Sequence, residues 1–155
     1  MAIKYKKADK SDIDVLTKTR IQVLRAANEL SSDIDLSLCE QESYQYYSDS
    51  LDTREHIAYL VYDEDIFIGA GGISFFRVMP TYQNPTGKKA YIMNMYTHPD
   101  YRRRGIAYNM LDLLVNEAKV SGITDISLEA TKMGMPLYLR YGFLQTMNEM
   151  KLPRN

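Results

Sequence analysis

The chain has 155 residues, of which 45% are hydrophobic and 25% are charged, and its formal net charge is −1. These values predict one globular domain, residues 1–155, and argue against a protein that binds nucleic acid through a bulk positive field. The single cysteine, Cys39, excludes an internal disulfide, and no apolar run suits a membrane span or a signal peptide, so we predict a cytoplasmic protein without a membrane role.

Hydrophobic periodicity predicts strands mixed with helices along the chain. Residues 2–8 alternate as an edge strand does, and Ser11 is a good N-cap for the helix that follows. Gly69, Gly71 and Gly72 weaken the third strand and indicate a bulge or a close approach of another element. The predicted strands are 2–8, 56–62, 66–78, 90–97, 124–130 and one or two in 143–152; the predicted helices are 12–29, 37–51, 106 to about 122, and 136–142, with a turn region at 79–88.

A short basic loop joins the strand at 90–97 to the following helix. It contains three consecutive arginines, Arg102 to Arg104, and then Gly105, and the apolar helical pattern begins at Ile106. The first turn of a helix has N–H groups without intrahelical partners and a positive dipole end. A glycine lets a ligand approach the backbone, and arginines add charge and forked donors. The loop therefore predicts a phosphate or pyrophosphate site; the alternative is a solvated arginine turn before an ordinary helix.

Two motifs in this half of the chain resemble the GNAT superfamily of N-acetyltransferases. The run Arg-Arg-Arg-Gly-Ile-Ala at 102–107 fits the pattern Gln/Arg-x-x-Gly-x-Gly/Ala, which marks the acetyl-CoA pyrophosphate loop of that family. The preceding residues 95–101 resemble the end of the family's fourth strand. Further on, Leu-Tyr-Leu-Arg-Tyr-Gly-Phe at 137–143 resembles the signature Leu-Tyr-x-x-x-Gly-Phe. The resemblance covers about residues 56 to 145.

The resemblance implies a mixed α/β architecture, the GNAT acyl-CoA N-acyltransferase fold. Its central, mostly antiparallel mixed sheet is splayed between strands 4 and 5, is flanked by helices, and holds the pantetheine arm of the cofactor in the splay. The implied cosubstrate is acetyl-CoA, with no metal. The implied reaction is direct attack by a primary amine of a small molecule or peptide on the acetyl carbonyl. Dimers are common in the family, so the resemblance also allows a homodimer.

The same resemblance assigns site residues. A backbone N–H near Met95 would stabilise the tetrahedral oxyanion, and the Tyr138 phenol would protonate the departing thiolate. Glu129 is a candidate general base, but the family's base varies in position and none is assigned. The sequence departs from the family at Thr131, where Asn is frequent, and at Gly134, where Ala is frequent. The cofactor-binding residues implied are Met95, Tyr96, Thr97, Arg102, Arg103, Arg104, Gly105, Ile106, Ala107 and Tyr108.

Two other functions stay open at this point. A non-catalytic module that senses acyl-CoA would share the loop but release no thiol. A nucleic-acid-binding protein could use the three arginines, but the net charge and the absence of a wider basic stripe argue against it. His56 and His98 are the only histidines and lack metal-ligand spacing, so no metal site is predicted.

An acidic segment precedes the hairpin. Residues 28–55 hold eight acidic side chains and one basic side chain, Arg54, which gives a local charge of −7. A solvated helical face explains this composition. In the GNAT family this region commonly shapes the acceptor groove, so the alternative is an acidic rim that steers a cationic amine.

Overall fold

The computed structural model describes residues 2–154. Its order of elements agrees with the predicted order up to the last helix. The strands are β1 Ile3–Lys7, β2 His56–Asp63, β3 Ile66–Arg77, β4 Lys88–Thr97 and β5 Ile126–Leu128; the helices are α1 Ile13–Ala27, α2 Ser37–Ser50, α3 Ile106–Val120 and α4 Met135–Tyr141, with 3-10 turns at Lys10–Asp12 and Pro99–Tyr101.

The five strands form one sheet in the order β1-β2-β3-β4-β5. The first four strands pair antiparallel with their neighbours, and β5 lies parallel to β4. The parallel pair has only three rungs, from Ala90 opposite Ile126 to Ile92 opposite Leu128. Past those rungs β4 continues for five residues while β5 has ended. The predicted mixed sheet with a splay between strands 4 and 5 is therefore confirmed.

Helices cover both faces of the sheet. Successive side chains along a strand point to opposite faces, and here both faces carry apolar side chains. On β2, Ile57 and Val61 belong to a core shared with α3 and α4, whereas Leu60 belongs to a core shared with α1 and α2. All three are at most 4% exposed. A strand whose two faces are both buried reads as a continuous apolar run, which is the pattern of residues 57–61. The two cores fix α1 and α3 on opposite sides of the same strands.

Glycine on β3 lets α3 lie close to the sheet. A Cβ at Gly71 would stand 2.5 Å from Cγ of Met110 in α3, which is inside contact distance. The pairing of β3 with β4 also shifts register between Ala70 and Gly72. The sequence pattern left a bulge and a close approach as alternatives, and both occur.

The predicted final strand at 143–152 is wrong. No strand occurs among residues 143–154 of the described chain. Within residues 2–154, the short β5 pairs only with β4. Leu144, Met147, Met150 and Leu152 are 86–94% exposed. In a strand, Met147 would face away from the other three, so the segment offers no single apolar face to bury. Separately, no helix within residues 2–154 is long and apolar enough to cross a bilayer.

Candidate active site

A cleft of about 240 Å³ opens where β4 and β5 separate. Tyr91 to Met95 of β4 form one wall, and Glu129 and Thr131, just after β5, form the other. Tyr138 of α4 also lines the cleft, and α1 covers it through Arg20 and three apolar residues. The splay therefore makes a narrow channel between backbone edges, with side chains from both faces of the sheet around it.

The wall of the cleft contains a β-bulge. Two residues of β4, Asn94 and Met95, stand opposite the single Gly71 of β3, and Asn94 has a positive φ of 60°. A bulge interrupts the ladder and leaves one residue of the longer strand unpaired. The Asn94 side chain is held by Arg20, whose Nη1 donates to Asn94 Oδ1 at 3.1 Å. The bulge thus lies in the wall of the cleft, and a hydrogen bond from α1 holds its Asn94 side chain.

The basic loop follows β4 directly and ends in the first turn of α3. Arg103 and Gly105 have positive φ values of 62° and 80°, and no side chain of the described residues caps α3. A Cβ at Gly105 would meet no atom within 4 Å, so the space above it is open. The Arg104 guanidinium lies 5.2 Å from the centre of the Tyr101 ring. The turn therefore presents uncapped N–H groups beside open space and positive charge, which suits an anion.

The cofactor-binding residues predicted from the sequence lie in two places in the structure. One is the end of β4, and the other is the basic loop with the first turn of α3. Met95 lines the cleft, and Thr97 ends the strand that runs into the basic loop. The Tyr96 ring instead stacks on Phe67 with centroids 6.0 Å apart. Tyr108 packs against Tyr141 of α4 at 5.2 Å. The remaining predicted residues, Arg102, Arg103, Arg104, Gly105, Ile106 and Ala107, form the loop and the first turn of α3.

Tyr138 is a buried residue of α4 that lines the cleft. It is 8% exposed, and its ring contacts Phe143 edge to face at 6.2 Å. No hydrogen bond of its hydroxyl occurs within residues 2–154, although the residue lines the cleft. Burial raises the pKa of the phenol, so the hydroxyl keeps its proton at neutral pH. Gly134 accommodates the ring, because a Cβ there would stand 2.9 Å from Tyr138 Cε2.

Glu129 also lines the cleft, but its carboxylate is already engaged. Lys151 Nζ lies 3.0 Å from Glu129 Oε1, and both side chains are about 70% exposed. An exposed ion pair of this kind contributes little stability and leaves the carboxylate in contact with solvent. Because the Lys151 ammonium already contacts this carboxylate, the structure favours no assignment of Glu129 as general base.

A second cavity, of about 550 Å³, lies between α2, the end of β3 and the middle of β4. Its wall is rich in aromatic rings and also contains two acidic side chains, Glu42 and Glu55. It shares Arg20, Met93 and Asn94 with the cleft, so the two spaces meet at the bulge. Sequence reasoning missed most of this cavity. The acidic excess of residues 28–55 was a signal for it. The aromatic lining residues are Tyr46, Tyr47, Phe75 and Phe76.

A hydroxyl–imidazole network around the buried His56 lines this cavity. His56 is 4% exposed, and its Nδ1 lies 3.1 Å from Tyr46 Oη and 3.0 Å from Ser74 Oγ. The two hydroxyls are 2.7 Å apart. Burial, and secondly the charge of Arg20, lower the pKa of His56 to about 4. The imidazole is therefore neutral at pH 7 and joins the network as an uncharged donor or acceptor.

No group of three or more His, Cys, Asp or Glu side chains in the described part of the chain is arranged to hold a metal ion. His56 and His98 are on different elements, and His98 Nδ1 accepts the backbone N–H of Asp100 at 3.1 Å. Cys39 is exposed and lines the larger cavity.

Comparisons with known proteins agree with this geometry. A model of the acetyltransferase (GNAT) family matches residues 24–143. The fold is similar to a crystal structure of a predicted acetyltransferase with acetyl-CoA from Clostridium acetobutylicum, at 38% identity and a TM-score of 0.89 over 98% of this chain and 96% of that one. A GCN5-related N-acetyltransferase from Ralstonia eutropha is 24% identical, with a TM-score of 0.83 over 99% of both chains.

A more distant likeness concerns the fold alone. Glucosamine-6-phosphate N-acetyltransferase from Arabidopsis thaliana is 12% identical, with a TM-score of 0.69 over 100% of both chains. A comparison with curated proteins gave no match.

Proposed function

The chain belongs to the GNAT family of acetyltransferases, and we propose that it transfers an acetyl group from acetyl-CoA to a primary amine by direct attack. The observation that carries the proposal is the meeting of two cavities at the β4 bulge, where they share Arg20, Met93 and Asn94. A transferase that joins two substrates directly needs two sites with a common boundary, because the reacting atoms must come within about 3–3.5 Å.

The narrow cleft is the proposed site of the cofactor's acyl end. The pyrophosphate would bind the N–H groups of residues 103–108, where the helix dipole and the arginines favour an anion. The pantetheine arm would then extend along β4 through the splay. The 38%-identical protein from Clostridium acetobutylicum, whose structure contains acetyl-CoA, supports this cosubstrate. No metal is part of the proposal.

The chemistry that we propose uses one backbone donor and one phenol. The amine nitrogen forms a bond to the acetyl carbon, and the negative charge moves to the carbonyl oxygen, near the backbone N–H of Met95 at the bulge. The C–S bond then breaks, and the sulfur takes a proton from Tyr138 Oη. The nitrogen, which attacks as an uncharged amine, loses one proton to solvent, and solvent returns a proton to Tyr138 Oη, which gives the amide, coenzyme A and a neutral phenol. Tyr138 Oη is suited to this because burial keeps it protonated.

The larger cavity is the proposed acceptor site. Its volume of about 550 Å³ suits a small molecule or the end of a peptide. A fold-level likeness to an enzyme that acetylates an amino sugar phosphate supports an amine acceptor in general. Within the proposal, the network of His56, Tyr46 and Ser74 forms a neutral polar floor beneath the acceptor. Neither nucleic acid nor a membrane is a proposed partner.

The test has two parts. Isothermal titration with acetyl-CoA measures cofactor binding, and a thiol-release assay against a broad panel of primary amines measures transfer. The proposal expects micromolar binding and amine-dependent release of coenzyme A, with the acetylated amine identified by mass. Tight binding without thiol release for any amine would instead support the acyl-CoA sensor, which is the second candidate function.

The cellular location is also proposed rather than observed. The exposed thiol of Cys39 fits a reducing compartment, so we propose the cytoplasm. Fractionation of cells that express the tagged protein tests this.

A further inference from the structure

Arg20 is the charged side chain that both cavities share. It lies on α1, is half-buried, and lines the cleft as well as the larger cavity beside the bulge. The only hydrogen bond of its guanidinium within residues 2–154 is the one from Nη1 to Asn94 Oδ1, at 3.1 Å. A guanidinium has five N–H donors in a planar fork, so this bond leaves most of the fork available.

No carboxylate of the described chain pairs with Arg20, although the side chain is half-buried. Arg54, on the surface, has Glu117 at 3.8 Å, whereas Arg20 forms no ion pair within residues 2–154. Glu42 and Glu55 line the same cavity but are both exposed and lie beyond ion-pair distance from it. A partly buried charge that lacks a counterion carries a desolvation cost, which a bound anion offsets.

The charge of Arg20 reaches the interior of the cavity. It is among the causes that lower the pKa of His56, and it opposes the rise in the pKa of Tyr47. Both rings are buried in the cavity wall, and each is in edge-to-face contact with the other at 5.6 Å. Arg20 therefore places a positive charge where the two cavities meet, although the segment that forms the outer wall is acidic.

We propose that Arg20 binds a carboxylate of the acceptor, so that the substrate of this site is an α-amino acid. The inference rests on the proposed function, since it assumes that an amine reaches the bulge from the larger cavity. The carboxylate and the amine of an α-amino acid are attached to the same carbon. A carboxylate on the Arg20 fork would therefore hold the amine beside Met95, where the acetyl carbon lies.

The remainder of the cavity indicates which amino acids fit. Tyr46, Phe75, Phe76 and Met93 give it a mainly apolar wall, which suits an aromatic or long aliphatic side chain. Glu42 and Glu55 stand at exposed positions of the same wall and would favour a cationic end on a long side chain. We expect phenylalanine, methionine and lysine to fit, and acidic amino acids and sugar phosphates to be excluded.

The experiment compares matched substrates that differ only in the carboxylate. Thiol release is measured for L-phenylalanine against 2-phenylethylamine, L-methionine against 3-(methylthio)propylamine, and L-lysine against cadaverine. Hydrogen bonds to charged groups contribute about 1.5–3 kcal/mol, which corresponds to a preference of about 10- to 150-fold in kcat/KM for the amino acid. We expect at least about a tenfold preference in the best pair.

Three variants identify the residue responsible. Arg20→Met keeps most of the side-chain length but removes every donor, and we expect it to abolish the preference mainly through KM for the amino acid. Arg20→Lys keeps the charge without the fork and should retain part of the preference. Lys18→Met, on the exposed side of α1, is the control and should behave as the wild type. Affinity for acetyl-CoA, measured by titration, should change less than about threefold in all three.

Other roles for Arg20 predict different results. If Arg20 only braces the bulge or stabilises the oxyanion, Arg20→Met lowers kcat for both members of each pair equally, and the inference is overturned. A wild-type enzyme that acetylates the decarboxylated amines as well as or better than the amino acids also overturns it, but leaves the proposed function standing. Absence of thiol release with every amine, while acetyl-CoA binds, overturns the proposed function and this inference together.

Discussion

The proposed chemistry depends on one side-chain group, the hydroxyl of Tyr138. Tyr138→Phe keeps nearly all of the packing area of the ring, so the fold and the affinity for coenzyme A should change little. General-acid roles contribute roughly 100- to 10,000-fold, and we expect kcat to fall by at least about tenfold. Steady-state kinetics with an identified acceptor, together with titration of coenzyme A, measure the two quantities separately.

Tyr141→Phe is the matched control for this prediction. It removes a hydroxyl from the same helix, but Tyr141 Oη donates to Asp112 at 2.8 Å and does not line the cleft. Its kcat should stay within about twofold of the wild type. Equal turnover of Tyr138→Phe and the wild type would leave Tyr138 as a packing residue and return the proton donor role to solvent.

His56 makes the stability of the fold dependent on pH. Its folded-state pKa of about 4 lies below the usual value of 6.5, so the unfolded state binds more protons below pH 6.5. The contribution of the neutral His56 side chain to the free energy of unfolding is therefore complete above about pH 6.5, and it is lost as the pH falls toward 4. From the two pKa values, the free energy of unfolding should fall by about 2 kcal/mol between pH 7 and pH 5.

Urea unfolding at the two pH values, for the wild type and for His56→Gln, measures this effect. The variant lacks the titrating group, so its stability should change by about 2 kcal/mol less over the same interval, even if it is less stable at both pH values. At Glu117, desolvation raises the pKa, but the hydrogen bonds of Lys7 and Tyr59 and the nearby positive charges together lower it, so carboxylates of this kind titrate at lower pH. Parallel changes in wild type and variant would mean that His56 is accessible to protons in the folded state.

Among single residues, the sequence indicated those that belong to local motifs and missed those that tertiary contacts bring together. Tyr138 and Gly105 lie within short patterns that the chain carries intact. Arg20 and Asn94 are 74 positions apart, and their contact depends on how α1 crosses the sheet. Nothing local to either residue indicates the other. The same holds for His56, whose burial comes from α2 and β3.

Among the elements, the turn that begins α3 has the most specific expected role. In Gly105→Glu, a carboxylate would occupy the open space where the pyrophosphate is proposed to bind, so we expect no measurable binding of coenzyme A. The new Cβ meets no protein atom within 4 Å, and the positive φ of 80° costs only about 1–2 kcal/mol. The fold should therefore survive. Isothermal titration and circular dichroism measure the two outcomes.

Gly122→Glu controls for backbone strain and added charge. Gly122 follows the other end of α3, has a φ of 75°, and also has nothing within 4 Å of an added Cβ. It should lose similar stability and bind coenzyme A normally. Normal affinity in Gly105→Glu would refute the proposed position of the pyrophosphate, whereas loss of affinity in both variants would point to a general effect on α3.

The elements could be predicted where their periodicity is long and bounded by strong signals. The predicted helix at 106 to about 122 corresponds to Ile106–Val120, since its apolar stripe is regular and a glycine follows it. The strand predicted at 124–130 is only Ile126–Leu128, because β4 leaves it at the splay and removes its ladder partner. The strand predicted at 143–152 is absent from the described structure, where β5 pairs only with β4.

For the whole molecule, the family resemblance predicted a mostly antiparallel mixed sheet with a splay between strands 4 and 5, which composition alone could not. The shape and size of the acceptor cavity were not predictable, since they arise from α2, β3 and β4 together. That residues 1–155 form one domain stays a prediction. Limited proteolysis and a single cooperative unfolding transition would support it.

The last prediction concerns how copies of the chain associate. Leu144, Met147, Met150 and Leu152 expose 86–94% of their surface, although each would contribute about 1.5–3 kcal/mol if fully buried. The net charge of −1 gives little repulsion between copies. We therefore expect a homodimer whose interface includes residues 144–152, and a truncation after Phe143 that is monomeric but still folded.

Sedimentation velocity at micromolar concentration measures the mass of both forms. Because dimer formation stabilises the folded state by mass action, the Tm of the full chain should rise with concentration while that of the truncated chain stays constant. A monomeric full-length chain, or a truncated chain that still dimerises, would move the interface elsewhere or remove it.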